Sequence, residues 1–114
     1  AAPLAQCAAA VLMVRPAAFS ANPDTAATNA FQSRGPASEG LRELARAESD
    51  GLAARLARAG VEVVVLEDDL HPPKPDACFP NNWLSLHHDG TVVLYPLLAP
   101  SRRPERREAV IALL

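Results

Sequence analysis

The stretch Val61-Glu62-Val63-Val64-Val65-Leu66 decides the fold class of this 114-residue chain. Its apolar, mostly β-branched residues are typical of a central, buried strand. A helical pattern precedes it, with Ser38 suited to the amino-terminal cap and Gly60 suited to the carboxyl-terminal stop. Val11 to Val14 form an earlier apolar run, which predicts another strand covered on both faces. Strand, helix and strand in this order predict a parallel pair with a right-handed crossover, and therefore an α/β fold.

The predicted helix has one apolar stripe and one weak point. Apolar residues recur at helical spacing at Leu41, Leu44, Ala45, Leu52 and Leu56. Gly51 weakens the middle by about 1 kcal/mol relative to Ala, so we expect a kink or break near residues 49–51. The stripe predicts that the helix packs on the sheet as scaffold.

The connection between the first strand and this helix is long for a compact domain, and long connections are commonly functional. A short helix is predicted within it from Asp24 to Gln32, beginning at Pro23 or Asp24. The polar candidates in this region are Arg15, Asn22 and Asn29.

A polar stretch, Pro75 to Trp83, follows the central strand. Its chemically interesting side chains are Asp76, Phe79, Asn81, Asn82 and Trp83. Loops at strand ends carry binding sites because the sheet beneath them is rigid. The same composition also suits a Pro-rich turn whose Asn side chains satisfy local backbone groups, and composition alone favours the turn.

Two alternating runs, Trp83 to His88 and Thr91 to Tyr95, flank Asp89-Gly90 and predict a hairpin. A two-residue turn would place Leu86 opposite Val93 and Leu84 opposite Tyr95. His87 and His88 would then lie on opposite faces of the strand, which disfavours a shared metal ion.

Charged residues cluster at two further places. Glu67-Asp68-Asp69 predicts a solvated acidic turn rather than a cation site. Arg102-Arg103 and Arg106-Arg107 alternate with Glu105 and Glu108, which predicts a solvated helix face. That helix is expected to begin near Pro104 and to leave its apolar residues uncovered, namely Val110, Ile111, Leu113 and Leu114. We expect the chain to be a piece of a longer protein.

Composition bounds the function. The net charge is −2 and 49% of the residues are apolar, which is ordinary for a globular domain and argues against nucleic acid as a partner. The sequence contains neither a signal-peptide pattern nor an apolar run long enough for a transmembrane helix. Cys7 and Cys78 lack metal-type spacing, so we expect free, buried thiols in a cytoplasmic protein.

Three blocks of sequence together resemble a known family. They are residues 11–19, residues 22–32 with Asn22-Pro23 and Asn29-Ala30-Phe31-Gln32, and residues 76–96 with Asp76-Ala77-Cys78-Phe79-Pro80-Asn81-Asn82-Trp83. The chain resembles the arginine deiminase-related, or amidinotransferase-like, family of guanidine-modifying enzymes. Its nearest likeness within that family is to the citrulline-utilisation hydrolases.

The resemblance implies a fold and a domain assignment. The fold is a five-bladed α/β propeller, or pentein, and residues 1–114 would be its amino-terminal fragment. One or more first blades would contain a mixed sheet with an outer helix, in the order β-α-β-β-β-α. Because such a fragment leaves strand edges and apolar surface open, we also expect it to associate with itself.

The resemblance also implies a chemistry. A Cys nucleophile attacks the guanidino or ureido carbon, a His acts as acid and base, and no cofactor or metal takes part. Both catalytic residues would lie beyond this chain, so it contains none and should be inactive alone. The implied substrate-binding residues are Asp76, Phe79, Asn81, Asn82 and Asn29.

Two positions within the resemblance bear on substrate and nucleophile. Related deiminases carry an acidic residue where Asn82 stands, and a neutral amide suits the ureido group of citrulline better than a cationic guanidinium. Cys78 occupies a position that is usually apolar, so we interpret it as a core thiol and not as the nucleophile. The leading hypothesis is therefore part of a citrulline or arginine hydrolase. The alternative is a non-catalytic α/β module that binds a small ligand or a protein partner.

Overall fold

A parallel strand pair forms the first half of the fold. The structure is a computed structural model that describes residues 5–26, 28 and 38–114. Strand β1 spans Ala10–Arg15 and strand β2 spans Glu62–Glu67. They pair in parallel, with Ala10 opposite Glu62 and Arg15 opposite Glu67. The predicted parallel pair is thus confirmed.

The two strands are less buried than their sequences predict. In β1 only Val14 is buried, and in β2 no residue is buried. Val65 remains 45% exposed. Within the described residues β2 has β1 as its only strand neighbour, so the prediction of a central strand is wrong for this part of the molecule.

Between the two strands, the described part of the chain contains two helices. Helix α1 spans Pro23–Ala26, and helix α2 spans Glu39–Arg58. The hydroxyl of Ser38 accepts a hydrogen bond from the Leu41 backbone N–H, and Gly60 has a positive φ of 89° after the helix end. Both predicted end signals of α2 therefore act as expected. Of the predicted Asp24–Gln32 helix only the start is seen, because residues 27 and 29–32 lie outside the described residues.

Helix α2 departs from prediction in two ways. It is unbroken through residues 49–51, because a glycine lowers helix stability without removing a backbone N–H donor. Its apolar stripe is only partly covered by the described residues, since Leu44 is 56% and Leu52 is 52% exposed whereas Leu41, Ala45 and Leu56 are half-buried. The stripe instead borders a groove, which is described below.

An antiparallel hairpin forms the second half of the fold. Strand β3 spans Leu84–Leu86 and strand β4 spans Val92–Leu94. Leu84 lies opposite Leu94 and Leu86 opposite Val92, which differs by one residue from the predicted register. The described residues thus contain two separate two-stranded sheets rather than the predicted mixed sheet.

The turn explains the difference in register. The His87 backbone N–H donates to the Thr91 carbonyl at 3.0 Å, so the loop contains the three residues 88–90. Gly90 has a φ of 86°, the left-handed conformation that closes such three-residue loops. The Asp89 carboxylate accepts a hydrogen bond from the Thr91 backbone N–H at 2.9 Å, which lowers the pKa of Asp89.

The carboxyl-terminal segment folds back onto the hairpin. A 3-10 helix spans Pro100–Glu105, and helix α3 spans Glu108–Ala112 rather than beginning near Pro104. A buried cluster of Trp83, Leu84, Leu97 and Val110 forms the main core, with Leu12, Leu66 and Ile111 packed against it.

This packing contradicts part of the prediction that the apolar residues at the carboxyl-terminal end are exposed. Val110 is only 1% exposed and Ile111 is partly buried, so neither is uncovered. Leu113 and Leu114 are 49% and 50% exposed, as predicted. With α1 and the two 3-10 helices, Pro80–Asn82 and Pro100–Glu105, set aside, the strands and helices of the described residues follow the predicted order β-α-β-β-β-α.

Candidate functional site

A hydrogen-bonded polar cluster joins three segments that are distant in sequence. We use the term polar cluster for Asn22, Asp76, Asn82, Ser101, Arg102 and Glu105. Asn22 follows β1, the next two residues belong to the stretch after β2, and the last three lie in the 3-10 helix Pro100–Glu105. The fold therefore holds the cluster between its two halves.

Arg102 is the centre of the cluster. Its Nε and Nη2 atoms donate to the two carboxylate oxygens of Glu105 at 2.9 and 2.8 Å. Its Nη1 atom donates to Asn82 Oδ1 at 2.8 Å. Its Nε atom also lies 3.7 Å from Asp76 Oδ2. The hydrogen bond to Glu105, followed by the charges of Glu105 and Asp76, raises the pKa of Arg102, although burial opposes this.

Glu105 is the buried carboxylate of the cluster and is only 4% exposed. Burial raises its pKa, and the hydrogen bond from Arg102 counteracts that rise. A bidentate pair of this kind fixes the plane of the guanidinium. Glu105 therefore orients Arg102.

Asn22 anchors Asp76 from the other side. Its Nδ2 atom donates to Asp76 Oδ2 at 2.9 Å and to the Ser101 hydroxyl at 3.3 Å, while its Oδ1 atom accepts from the Asp24 backbone N–H at 3.0 Å. Asn22 is 1% exposed. Because Asn22 and Arg102 both lie beside Oδ2 of Asp76, that carboxylate has a fixed orientation.

Cys78 lies beside the cluster but is a poor nucleophile. Burial raises its pKa to about 11, and the negative charge of Asp76 adds to the rise. A thiol with such a pKa is almost entirely protonated at neutral pH, and the thiolate is the reactive form. This favours the interpretation that Cys78 is not the nucleophile, although its side chain is only partly buried and also lines the groove described below. Cys7, by contrast, is exposed, so the prediction that both thiols are buried is wrong.

The predicted substrate-binding residues are distributed over two places. Asp76 and Asn82 both belong to the polar cluster. Phe79, which is 43% exposed, and Asn81 instead line an apolar groove. Asn29 lies outside the described residues.

The groove has a volume of about 650 Å³. It runs between β1 and the apolar stripe of α2 on one side and the segment 78–86 on the other. Leu41, Leu44 and Leu52 supply much of its helical wall. Its polar boundary includes Glu48 and Asn81.

Sequence reasoning missed Asn22, Ser101, Arg102 and Glu105 as members of one cluster. Arg102 and Glu105 were expected on a solvated helix face, and this is wrong. The available signal was their i, i+3 spacing, which allows a pair within a helix. Their sequence does not show that the pair faces inward, because that depends on how the carboxyl-terminal segment folds back.

The acidic turn after β2 is solvated only in part, since the side chains of Glu67 and Asp69 are 61% and 73% exposed whereas that of Asp68 is buried. The Asp68 side chain is 0% and the Lys74 side chain 1% exposed, and Lys74 Nζ lies 3.2 Å from Asp68 Oδ1. The ammonium also donates to the carbonyl oxygens of Asp69 and Pro72 at 3.1 and 2.8 Å. Arg107 Nη1 donates to the Asp69 carboxylate at 3.1 Å. These pairs fix the start of the loop that leads to the cluster.

Arg15 is likewise held by carboxylates and connects separate elements of the fold. Its Nε and Nη2 atoms donate to the Asp50 carboxylate at 2.7 and 2.9 Å, and its Nη1 atom donates to Glu67 at 3.1 Å. These bonds connect β1 to α2 and β2. The hydrogen bond from Arg15 is the main cause that lowers the pKa of Asp50.

Metal ligands and membrane-spanning helices were also sought among the described residues. No group of three or more His, Cys, Asp and Glu side chains in these ranges comes together as a set of metal ligands. None of the helices in the described part of the chain is long and apolar enough to cross a membrane.

The described residues form a small α/β structure in which a parallel strand pair is followed by a loop that carries carboxylate and amide groups. The family model described as N,N dimethylarginine dimethylhydrolase, eukaryotic, matches residues 15–114. The chain belongs to this family, which confirms the resemblance to arginine-modifying, amidinotransferase-like enzymes. No curated protein and no solved structure matches the chain.

Proposed function

We propose that this chain is the substrate-contacting part of a hydrolase that cleaves a C–N bond of a guanidino or ureido group. Its substrates would be arginine-like or citrulline-like small molecules. The observation that carries the proposal is the family match over residues 15–114, which includes the whole polar cluster. The catalytic Cys and His are proposed to lie in chain beyond Leu114.

The polar cluster supports a binding role. A planar, delocalised head group is a weak electrophile and needs fixed hydrogen-bond partners around it before a thiolate can attack. Asp76 offers carboxylate oxygens that can accept N–H bonds, and its side chain is 14% exposed. Asn82 offers an exposed amide. Both are held in place by Arg102 and Asn22, so binding would not have to order them.

Phe79 and Asn81 are proposed to contact the same substrate. Phe79 follows Asp76 closely and its backbone N–H donates to the Asp76 carbonyl at 3.0 Å, so the two residues share one tight turn. The exposed ring offers a flat apolar surface to a planar group. Asn29 is retained in the proposal from the family resemblance alone.

The pentein assignment is also part of this proposal. The parallel pair, α2 and the hairpin would belong to one or more first blades of the propeller, and the exposed part of the α2 stripe, at Leu44 and Leu52, would pack against further chain. The isolated 114-residue chain would then release neither ammonia nor ornithine from citrulline or arginine, and it would associate with itself.

The test uses the complete reading frame that contains this chain. The purified protein is assayed with citrulline, arginine and dimethylarginine, and compared with the Asn82→Ala and Asn81→Ala variants. Losing one hydrogen bond to a buried polar partner costs roughly 1–3 kcal/mol, so kcat/KM should fall about tenfold or more in Asn82→Ala. Arg58→Ala at the far end of α2 is the matched control and should be unaffected.

Two results would contradict the proposal. Unchanged kinetics in both Asn variants would mean that Asn81 and Asn82 stabilise the turn and do not bind substrate. A complete protein that neither binds nor converts any of the three compounds would favour the alternative, a non-catalytic α/β interaction module.

A further inference from the structure

The polar cluster contains more negative than positive charge. Its charged members are the carboxylates of Asp76 and Glu105 and the guanidinium of Arg102. When all three groups are ionised, the cluster therefore carries a net negative charge. The way in which the three groups pair decides where that charge remains.

Glu105 compensates the charge of Arg102. Both of its carboxylate oxygens accept hydrogen bonds from Arg102, at 2.9 and 2.8 Å. A guanidinium only donates, so neither oxygen of Glu105 needs a proton for this pairing, which is the geometry of an ionised carboxylate. The side chains of Glu105 and Arg102 are 2% and 11% exposed, so solvent ions screen the pair little.

Asp76 keeps the negative charge that remains. Arg102 Nε lies 3.7 Å from its Oδ2 atom, beyond hydrogen-bond distance, and already donates to Glu105. Oδ2 accepts instead from the neutral amide of Asn22 at 2.9 Å. In the part of the chain that the structure describes, no hydrogen bond or ion pair uses the Oδ1 atom of Asp76. Oδ1 can therefore accept a hydrogen bond from a cationic ligand.

The neighbouring charged groups do not take up this charge. Asp68 is close enough for its charge to act on Glu105. It is itself paired, at 3.2 Å from Lys74 Nζ and 3.7 Å from Arg107 Nη2, and Arg107 also pairs with Asp69. These two cations are thus matched by two carboxylates of their own.

We propose that Glu105 is a specificity-determining residue, which neutralises Arg102 so that Asp76 presents an uncompensated negative charge to a cationic guanidinium head group. Without Glu105, the charge of Arg102 would lie 3.7 Å from Asp76 and would repel a second guanidinium. This inference rests on the proposed function. It differs from the expectation based on Asn82, because a neutral amide does not change the charge of the cluster.

The experiment measures the Kd of the complete protein for dimethylarginine, which has a cationic head group, and for citrulline, which has a neutral one. Glu105→Gln keeps an oxygen that can accept from Arg102 but removes the negative charge. The Kd for dimethylarginine should rise about tenfold or more, whereas the Kd for citrulline should change by less than about twofold. A loss of packing alone would weaken both ligands alike, so the ratio of the two Kd values is the readout.

A double variant tests the charge itself. Glu105→Gln combined with Arg102→Gln removes one negative and one positive charge, so the ratio should return to within about threefold of the wild-type value. Glu108→Gln, which changes an exposed carboxylate in the first turn of α3, is the matched control and should leave the ratio unchanged. Equal weakening of both ligands in Glu105→Gln, or no recovery in the double variant, would overturn the role of Glu105. If Glu105→Gln does not fold, the double variant decides.

A second measurement needs no variant. A ligand that binds more tightly when Glu105 is ionised must also make Glu105 harder to protonate, because the coupling between two sites is reciprocal. In the complete wild-type protein, dimethylarginine should lower the pH midpoint of the Glu105 carboxyl carbon resonance, and citrulline should not. The charges of Arg102, Asp76 and Asp68 act on Glu105 in both titrations, so a difference between the ligands comes from their head groups. Equal midpoints would overturn the inference even if no variant folds.

The remaining outcomes separate this inference from the proposed function. A wild type that binds citrulline more tightly than dimethylarginine overturns the role of Glu105 and leaves the hydrolase assignment standing. A wild type that binds neither compound overturns both.

Discussion

The partly buried thiol of Cys78 should react slowly and with a steep dependence on pH. Burial, with the charge of Asp76 as a further cause, raises its pKa to about 11. At about pH 8 a thiol of pKa about 11 is roughly 0.1% thiolate, whereas an ordinary thiol of pKa about 8.5 is roughly 24% thiolate. The fraction of the reactive form is thus lower by about two hundredfold.

Basicity offsets part of this difference. A more basic thiolate is a better nucleophile, and a Brønsted coefficient of about 0.4–0.5 returns roughly a factor of ten. We therefore expect Cys78 to react about twentyfold more slowly than an ordinary thiol at about pH 8, before any steric protection. Its rate should rise about tenfold per pH unit up to about pH 10, because the group is still titrating there.

The assay is alkylation by iodoacetamide, followed by mass spectrometry. Cys7→Ser isolates Cys78, and Cys78→Ser isolates the exposed Cys7 as the matched control. A fast reaction of Cys78 at about pH 7 would refute the argument from burial. It would also reopen the question of whether Cys78 is a nucleophile, and in the complete protein Cys78→Ala should keep turnover if it is not.

Three further predictions concern stability, measured by urea unfolding. Lys74→Met should lose about 3 kcal/mol because it removes the nearer cation from the buried carboxylate of Asp68 and leaves it with Arg107 Nη2 at 3.7 Å, and adding Asp68→Leu should recover much of that loss. A loss below about 1 kcal/mol would mean that Arg107 or water compensates the charge of Asp68. Gly90→Ala should destabilise by about 1 kcal/mol because its φ is 86°, whereas Gly51→Ala, in open space within α2, should stabilise by a similar amount. Burial raises the pKa of Glu105, so the folded state binds the carboxyl proton more tightly than the unfolded chain does. The free energy of unfolding of the wild type, relative to that of Glu105→Gln, should therefore increase as pH falls from about 7 to about 4.5. A relative stability that decreases over this range would contradict the raised pKa.

Local signals in the sequence predicted where helices and strands form better than they predicted how these elements pack against the rest of the chain. Ser38 and Gly60 act within one turn of α2, so their effect can be inferred without the rest of the chain. The register of the hairpin could not be inferred, because Asp89-Gly90 suits both two-residue and three-residue loops. The difference is set by the hydrogen bond between His87 and Thr91.

The candidate site was predicted only in part for a related reason. Asp76 and Asn82 are adjacent enough in sequence to be recognised together. Asn22 and Arg102 reach them across 54 and 20 residues, respectively, and no local pattern indicates such distant contacts. Burial of Glu105 likewise depends on tertiary packing, so its interpretation as a solvated residue was reasonable and wrong.

Lys74 is the single lysine in the sequence, and its side chain is only 1% exposed. Reagents that couple to lysine amines therefore find no accessible lysine while the chain is folded. The same holds for enzymes that attach acyl groups or small proteins to lysine, since they need the ammonium to leave its carbonyl and carboxylate partners. The rate at which Lys74 is labelled would then report how often the loop between β2 and the polar cluster opens. The chain therefore contains an internal reporter of its own unfolding.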